Sequence, residues 1–336
     1  FGGPSYYMET ALKKRWLGVI FAVIIILTYA VGYNMLASYN LQSSFSAFSF
    51  YHEGSTPLVI GIILALLFAV CVMGGAKRLT KITGAGAIMA SSRGRGRGGG
   101  GRQRLHRPEV FRNIFASAFD FPAIFGGFTG SCMMEGIKRG LYSNEAGMGS
   151  APNASATATV SHPVKQGMVQ VLSVFIDTLM ICTTTAFILL LSGVTGIPEK
   201  LDGIPYVQAA ISANVGSLGI ILFISIFAFA FTSLIGNYYY AESNILFIKN
   251  NRILLNVFRI TCLIAIFLGA QADFSTVWNL ADVLMGFMAI ENILVIFLLG
   301  GIAFKVLDDY TKQKKQGIDP VFKAKNVGLN NTDTWK

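Results

Sequence analysis

The chain has 336 residues, of which 53% are hydrophobic and only 13% are charged, and its mean hydropathy is +0.56. This composition argues against a soluble globular protein and is typical of a polytopic membrane protein. The net charge of +10 would indicate a nucleic-acid partner if it were spread over a soluble domain. Here the basic residues lie in short clusters between apolar segments, a pattern that sets orientation in a membrane.

Seven apolar segments are long enough to cross a hydrocarbon core of about 30 Å as helices. They are Trp16–Leu41, Pro57–Gly75, Val110–Gly136, Gly167–Gly193, Val215–Ile248, Ile253–Gly269 and Val277–Ala303. Basic clusters at 13–15 and 77–81 flank the first two segments, and the loop between those segments carries no Lys or Arg. We therefore predict that the basic loops and the C-terminal tail, 305–336, are cytoplasmic and that the spans cross the plasma membrane.

Cytoplasmic and external loops should alternate along the chain. Residues 84–107 interrupt this alternation, because one membrane crossing is missing there. The stretch includes RGRGRGGGGRQRLHR, which cannot form a membrane helix since each buried Arg is costly. One interpretation is a flexible arginine-glycine linker of the kind that binds RNA. The other, which we favour, is a shifted reading frame, since valine codons read one base early give Gly and Arg. The nucleotide sequence must then encode an apolar helix in the alternative frame, and no nucleic-acid partner is expected.

Neither the cysteines nor the histidines form a recognisable site. The four Cys lie in apolar segments without CxxC or Cys/His spacing, and the three His are scattered at segment ends. This spacing predicts neither a disulfide framework nor a metal site. No set of nucleophile, base and orienting residue is present either, so we predict that the protein is not an enzyme and carries no cofactor.

A polar run that follows a glycine-rich apolar segment is the first candidate for a functional site. Gly126, Gly127 and Gly130 interrupt that segment, and the run from Lys138 to Ser150 comes directly after it. Glycine breaks in a membrane helix expose backbone groups that protein, water or a ligand must satisfy. The alternative is a packing face of small residues; the adjacent polar run makes us favour a site.

Three motifs carry a resemblance to a known family. KRGLYSNEAGMGSAP at 138–152, HPVKQG at 162–167 and FIDTLMICTTTA at 175–186 resemble the signature of the alanine or glycine:cation symporters, the bacterial sodium:alanine symporters. The similarity covers nearly the whole chain except 84–107. Residue 1 corresponds to an interhelical loop of that family, so we expect a fragment that lacks the family's first helices.

The resemblance implies an all-α polytopic membrane protein with a LeuT-type fold of two inverted five-helix repeats, here incomplete. Phe119–Gly140 would be the sixth core helix, with Gly126–Thr129 as its unwound centre. The implied function is Na⁺-coupled uptake of a small neutral amino acid, alanine or glycine. The implied substrate-binding residues are Gly126, Gly127, Phe128 and Thr129, together with Tyr33 and Asn34 of the first span. Ala37 stands where the family has a Gln-containing pattern, which leaves the precise substrate open.

Thr232 and Ser233 place two adjacent hydroxyl oxygens in the middle of a span. Hard cations prefer oxygen ligands, so these residues are candidates for a Na⁺ site. Alternatively, both hydroxyls donate to a carbonyl one turn earlier and bend the helix. The resemblance favours sodium, because the paired hydroxyl residues of the family align at this position.

Other polar residues in or near the spans form a further set of candidates. Asp177 and Thr184 are seven residues apart, which on a regular helix places them on one face, as a charge relay or as a buried carboxylate that fixes packing. Arg139, Asn144 and Glu145 are interpreted as a gate or a helix-end network, or as a plain cap. The remaining intramembrane carboxylates are Asp282 and Glu291. A proton-coupled or exchanging carrier that uses Asp177 or Glu291 is the alternative function.

Overall fold

A computed structural model of the protein describes residues 2–73, 112, 116, 127–192, 202–215, 219–329 and 335. Within these ranges the chain forms helices and no strand. The helices are α1 (Pro4–Thr10), α2 (Arg15–Ala47), α3 (Thr56–Met73), α4 (Gly127–Asn144), α5 (Ala151–Ser155), α6 (Pro163–Leu191), α7 (Ile204–Val215), α8 (Gly219–Ile248), α9 (Arg252–Gln271) and α10 (Phe274–Lys315).

Six of these helices are long and apolar enough to cross a membrane. They are α2, α3, α6, α9, α10 and the Leu222–Ile248 part of α8. Each overlaps one of the predicted spans, so the prediction of an all-helical, polytopic membrane protein is confirmed. Most of the seventh predicted span, Val110–Gly136, and all of 84–107 lie outside the described residues.

Helices α2 and α6 each contain a π-helical turn, at Leu27–Tyr33 and Ile176–Cys182 respectively. A π turn inserts one residue relative to an α-helix, changes the direction of the following side chains and is frequent at functional sites. In α6 it contains Asp177 and ends just before Thr184. The expectation that these two residues share a face assumed a regular helix; in the structure they have unrelated partners, described below.

The core is formed by α2 packed against α8, α9 and α10. Gly269 of α9 allows the closest approach, because a Cβ at this position would lie 2.4 Å from the Cα and carbonyl oxygen of Met35 in α2. Tyr29, Phe21 and Phe68 are the bulkiest side chains that the core buries completely. Helices α2, α8, α9 and α10 are therefore fixed by apolar contact.

The C-terminal tail folds back onto the start of α6. The Phe322 N–H donates to the Ser161 carbonyl at 2.9 Å, and Lys165 forms an ion pair with Asp319 at 2.6 Å. His162, which is fully buried, lies between the rings of Tyr310 and Phe322. The tail thereby ties the start of α6 to the end of α10.

Candidate functional site

A polar cavity of about 290 Å³ lies where the end of α4 meets the middle of α6. Its lining includes two carboxylates, amides and hydroxyls, from Ser143, Asn144, Glu145, Gln170, Asp177 and Tyr240. Polar groups placed between membrane helices are costly unless they serve packing or a pathway. This polar cavity is the candidate functional site.

Glu145 supplies the more deeply buried carboxylate of the polar cavity. It accepts hydrogen bonds from the Ser150 hydroxyl at 2.6 Å and from the Tyr29 phenol at 3.4 Å. Burial raises the pKa of Glu145 above its ordinary value, and the nearby charge of Asp177 acts in the same direction, against the two hydrogen bonds. The residue also has φ 53°, a conformation that non-glycine residues rarely adopt outside functional or tightly constrained sites.

Asp177 supplies the second carboxylate and joins α6 to α4. It accepts a hydrogen bond from the Ser143 hydroxyl at 2.5 Å, while Asn144 donates to the Thr178 hydroxyl at 3.3 Å. Both acceptors belong to the π turn of α6. The π turn is therefore the part of α6 that is hydrogen-bonded to the end of α4.

Arg139 joins α4 to α10 rather than to the polar cavity. Its guanidinium donates to Asp282 and lies 4.0 Å from the centre of the Trp278 ring. Among the described residues, no ion pair connects Arg139 with Glu145. The predicted network of Arg139, Asn144 and Glu145 is thus divided in the structure: Asn144 and Glu145 contact the polar cavity, and Arg139 pairs with a different carboxylate.

Tyr33 and Asn34 lie at the end of the π turn of α2 but face different neighbours. Tyr33 packs edge-on against Tyr29 and Tyr142, beside the end of α4. The Asn34 side chain donates to the Ala30 carbonyl at 3.2 Å and accepts from Asn237 of α8 at 3.2 Å. Of these two residues, Tyr33 is therefore the one that lies against α4, whose last residues line the polar cavity.

Comparison with known proteins identifies the family. A model of the sodium:alanine symporter family matches residues 1–91 and 103–324. The chain belongs to this family. The gap between the two matched ranges, 92–102, falls inside the anomalous 84–107 stretch.

Individual members of the family are similar over most of the chain. The amino-acid carrier protein AlsT of Bacillus subtilis is 42% identical over 100% of this chain and 71% of AlsT. The probable sodium/glutamine symporter GlnT of the same species is 45% identical over 96% of this chain and 67% of GlnT. The sodium/proton-dependent alanine carrier protein of Bacillus sp. strain PS3 is 35% identical over 88% of this chain and 71% of its own length. Members of the family are carriers, not enzymes.

The glycine segment that the symporter signature implicated is only partly described. Gly126 and the side chains of Gly127, Phe128 and Thr129 lie outside the described residues. The backbone of Gly127 to Thr129 is helical and belongs to α4, so the expectation that the unwound centre spans Gly126–Thr129 is wrong for these three residues.

The paired hydroxyls that the symporter resemblance linked to sodium, Thr232 and Ser233, both donate to the Phe229 carbonyl, at 2.9 and 3.0 Å. This is the back-bonded geometry considered above. A hydroxyl that donates its proton in this way keeps its oxygen lone pairs for another partner. The sodium role of both residues stays a prediction.

Two further candidates lie away from the polar cavity. The Thr184 hydroxyl donates to the Met180 carbonyl at 2.6 Å and shares no partner with Asp177. Glu291 lines a separate apolar groove with Lys14 and Trp16.

The sequence did not single out Ser143, Ser150, Asn237 or Trp278, which contact the candidates. Asn237 and Trp278 sit in apolar segments, so the rarity of such side chains there was a usable signal, whereas two serines in a polar run carried none.

Proposed function

We propose that the protein couples the entry of a small neutral amino acid, alanine first, to Na⁺ across the plasma membrane. Membership of a family of amino-acid carriers supports symport as the general activity. The observation that carries the proposal for this chain is the polar cavity, which holds two carboxylates at a junction of four helices, α4, α5, α6 and α8. A buried group of this kind is typical of an ion or substrate pathway.

The contacts around α4 suggest how binding is coupled to access. The α-carboxylate of the substrate would accept from exposed backbone N–H groups around Gly126 and Gly127, as the resemblance to the symporters implies. The other end of α4 is fastened to α6 through Ser143 and Asp177 and to α10 through Arg139 and Asp282. Any shift of α4 on ligand binding must stretch or break these contacts, so they would act as the gate of the polar cavity.

Thr232 and Ser233 would provide Na⁺ with two oxygen ligands, since their lone pairs point away from the bond to Phe229. Replacing them with Thr232→Val and Ser233→Ala should raise half-saturating Na⁺ at saturating alanine by about tenfold, or about 1.4 kcal/mol. Thr261→Val is the matched control, because the Thr261 hydroxyl is also back-bonded, to Val257 at 3.1 Å. An unshifted sodium curve in the double variant would remove both residues from the ion site.

A proton-coupled or exchanging carrier is the second candidate. The raised pKa of Glu145 favours it, because a carboxyl that binds protons readily and lines the polar cavity can change its charge during transport. In this case Glu145→Gln should abolish the pH dependence of uptake. Glu53→Gln serves as the control, because Glu53 is an exposed glutamate in a loop.

The experiment that separates the two candidates is uptake of labelled alanine by the protein reconstituted in liposomes. Sodium-coupled symport predicts accumulation with an inward Na⁺ gradient, loss of accumulation when choline replaces Na⁺ at fixed pH, and no effect of a protonophore. Accumulation that persists in choline and collapses with the protonophore would favour proton coupling. Alanine-for-alanine exchange without net accumulation would identify an exchanger.

A further inference from the structure

A groove of about 310 Å³ lies on the outside of the bundle, between α3 and α9. The argument below uses the residues Phe68, Val72 and Met73 of α3 and Asn256, Arg259 and Leu263 of α9, which all line it. Phe68 and Val72 are buried, whereas Met73 is 80% exposed. This α3–α9 groove therefore has a packed floor and opens away from the bundle.

Helices α3 and α9 run in opposite directions, which fixes the depth of the groove in the membrane. A Cβ on Gly61, near the start of α3, would lie 3.0 Å from the Cβ of Ala270 at the end of α9. Met73, at the end of α3, is therefore level with the first turns of α9. Helix α9 has 20 residues and is about 30 Å long, the thickness of a hydrocarbon core, so its first turns lie at one membrane interface.

The polar groups of the groove lie at this interfacial end. Asn256 and Arg259 follow Arg252, the first residue of α9, at spacings of four and three residues, so the three share one face of the helix. Leu263 continues this face four residues deeper and lines the groove together with Phe68. Helical side chains tilt toward the N-terminus of their helix, so Asn256 and Arg259 point to the interface. The groove is thus polar at the level of the head groups and apolar at the level of the acyl chains.

Arg259 keeps hydrogen-bond donors for a ligand. Its Nε donates to the Tyr238 phenol at 3.0 Å, and one terminal nitrogen lies 3.6 Å from the Glu242 carboxylate. A guanidinium has five N–H donors, and the Arg259 side chain is 35% exposed, so terminal N–H groups are accessible from the groove.

The interfacial end also carries a positive charge that no carboxylate offsets. Glu242 balances the charge of Arg259. Arg252 is exposed, and within the described ranges it forms no ion pair. A ligand that fits these groups has an anionic head with oxygen acceptors and a long apolar body.

We propose that the α3–α9 groove binds an anionic phospholipid, such as phosphatidylglycerol. Its phosphate accepts paired hydrogen bonds from the terminal nitrogens of Arg259 and a further one from the Asn256 amide, and an acyl chain packs along Phe68 and Leu263. The planar guanidinium matches the geometry of a phosphate. Phosphatidylcholine has the same phosphate but no net charge, and its choline brings a second cation close to Arg252. The positive interfacial end therefore favours phosphatidylglycerol.

The test is native mass spectrometry of the whole protein with phosphatidylglycerol and phosphatidylcholine at equal concentration. Phosphatidylglycerol should bind about tenfold more tightly, equivalent to about 1.4 kcal/mol. Soluble glycerophosphoglycerol separates the two sources of the phosphate, since it lacks the acyl chains. It should not displace the lipid at the same concentration, and displacement would assign the site to free phosphate esters instead.

Charge variants connect the preference to the groove. Arg252→Gln should lower phosphatidylglycerol binding by about fivefold and leave phosphatidylcholine binding unchanged. Arg259→Lys keeps a positive charge beside Glu242, so the fold is retained, but it removes the paired donors and should weaken both lipids. Lys305→Gln is the matched control, because Lys305 is an exposed basic residue on α10, outside the groove. An equal loss of preference in Lys305→Gln and Arg252→Gln would assign the effect to general surface charge.

A steric variant tests the apolar part of the groove. Ala69 lines the groove, and Ala69→Phe should fill it and reduce the binding of both lipids. Equal binding of the two lipids to the wild-type protein, or unchanged lipid binding in Ala69→Phe, would overturn the proposal. A wild-type dimer that dissociates in Ala69→Phe would also overturn it, because the groove would then belong to a contact with a second copy of the chain.

Discussion

Helices α2 and α6 are alike in sequence character but are held in place differently. Both are long, have mean hydropathy above 2 and contain a π turn. In the most apolar window of α2, 50% of the residues are buried in the bundle, whereas the corresponding share in α6 is 0%. Apolar packing against three other helices therefore fixes α2, and the described chain gives α6 no comparable support.

Polar contacts hold α6 instead: Gln170 donates to Ser155 of α5 at 3.0 Å, and further contacts lie at two other places. Near its middle, Asp177 and Thr178 pair with Ser143 and Asn144 at the end of α4. At its start, the C-terminal tail contacts Ser161 and Lys165. A few hydrogen bonds can be exchanged at low cost, while a packed apolar interface cannot. Within the described residues, α2 is therefore held by apolar packing and α6 mainly by polar contacts.

The largest expected effect comes from disrupting the packing of α2 against α9. Gly269→Leu places a side chain against the backbone of Met35, where even a Cβ would lie 2.4 Å from backbone atoms. Overpacking of this kind should lower the free energy of unfolding by about 3 kcal/mol or more. Thermal unfolding followed by size-exclusion chromatography measures the loss. Gly286→Ala is the control, because a Cβ there has nothing within 4 Å, and equal stability of both variants would contradict the close packing of α2 and α9.

A smaller effect on stability, but a clear one on transport, is expected from loosening α6. Asp177→Ala removes the acceptor of the Ser143 hydroxyl, a hydrogen bond to a charged group that contributes about 1.5 kcal/mol. Alanine uptake should fall by about tenfold while the unfolding temperature stays within about 2 °C of the wild type. Thr185→Val is the matched control on the same helix, since the Thr185 hydroxyl only donates back to Ile181. Wild-type uptake by Asp177→Ala would mean that the contact between α4 and α6 is not part of the gate.

The smallest expected effect concerns the tail. The hydrogen bond from Lys165 lowers the pKa of the exposed Asp319 below its ordinary value. A lowered pKa means that the ion pair supports the folded tail above the ordinary Asp pKa of about 3.9, and that this support is lost as the pH falls through the lower, folded-state pKa. Asp319→Asn should therefore speed hydrogen exchange of the Phe322 amide at pH 7, and the difference from wild type should vanish at the acid end. Asp308→Asn is the control, and a difference that persists in acid would assign it to another cause.

The sequence predicted the long helices well because membrane burial is a property of single segments. Six spans follow directly from apolar runs, and only their ends moved. Helix α10 continues to Lys315, beyond the predicted end at Ala303, because no helix breaker occurs before Gly317, which adopts φ 75°. The Arg/Gly-rich stretch broke the expected alternation of loops, so it was recognisable as an anomaly without any structure.

The partners of the site residues were not predictable in the same way. Asp177 pairs with a serine 34 positions away, and Arg139 with a carboxylate 143 positions away. Such pairs depend on how α4, α6 and α10 pack, and no single segment encodes that. The seven-residue spacing of Asp177 and Thr184 assumed a regular α-helix, whereas a π turn at Ile176–Cys182 changes the direction of the side chains that follow it. The sequence thus indicated candidate polar residues but not their partners in the structure.

Equilibrium binding of labelled alanine to the purified protein, measured over a range of Na⁺ concentrations with choline as the balancing cation, tests the proposed coupling most directly. If the two ligands share one cycle, Na⁺ must tighten alanine binding, and by linkage alanine must tighten Na⁺ binding by the same factor. We predict that the dissociation constant of alanine falls by about tenfold between choline and saturating Na⁺, equivalent to about 1.4 kcal/mol of coupling free energy. Alanine binding of equal strength in Na⁺ and in choline would contradict sodium-coupled symport.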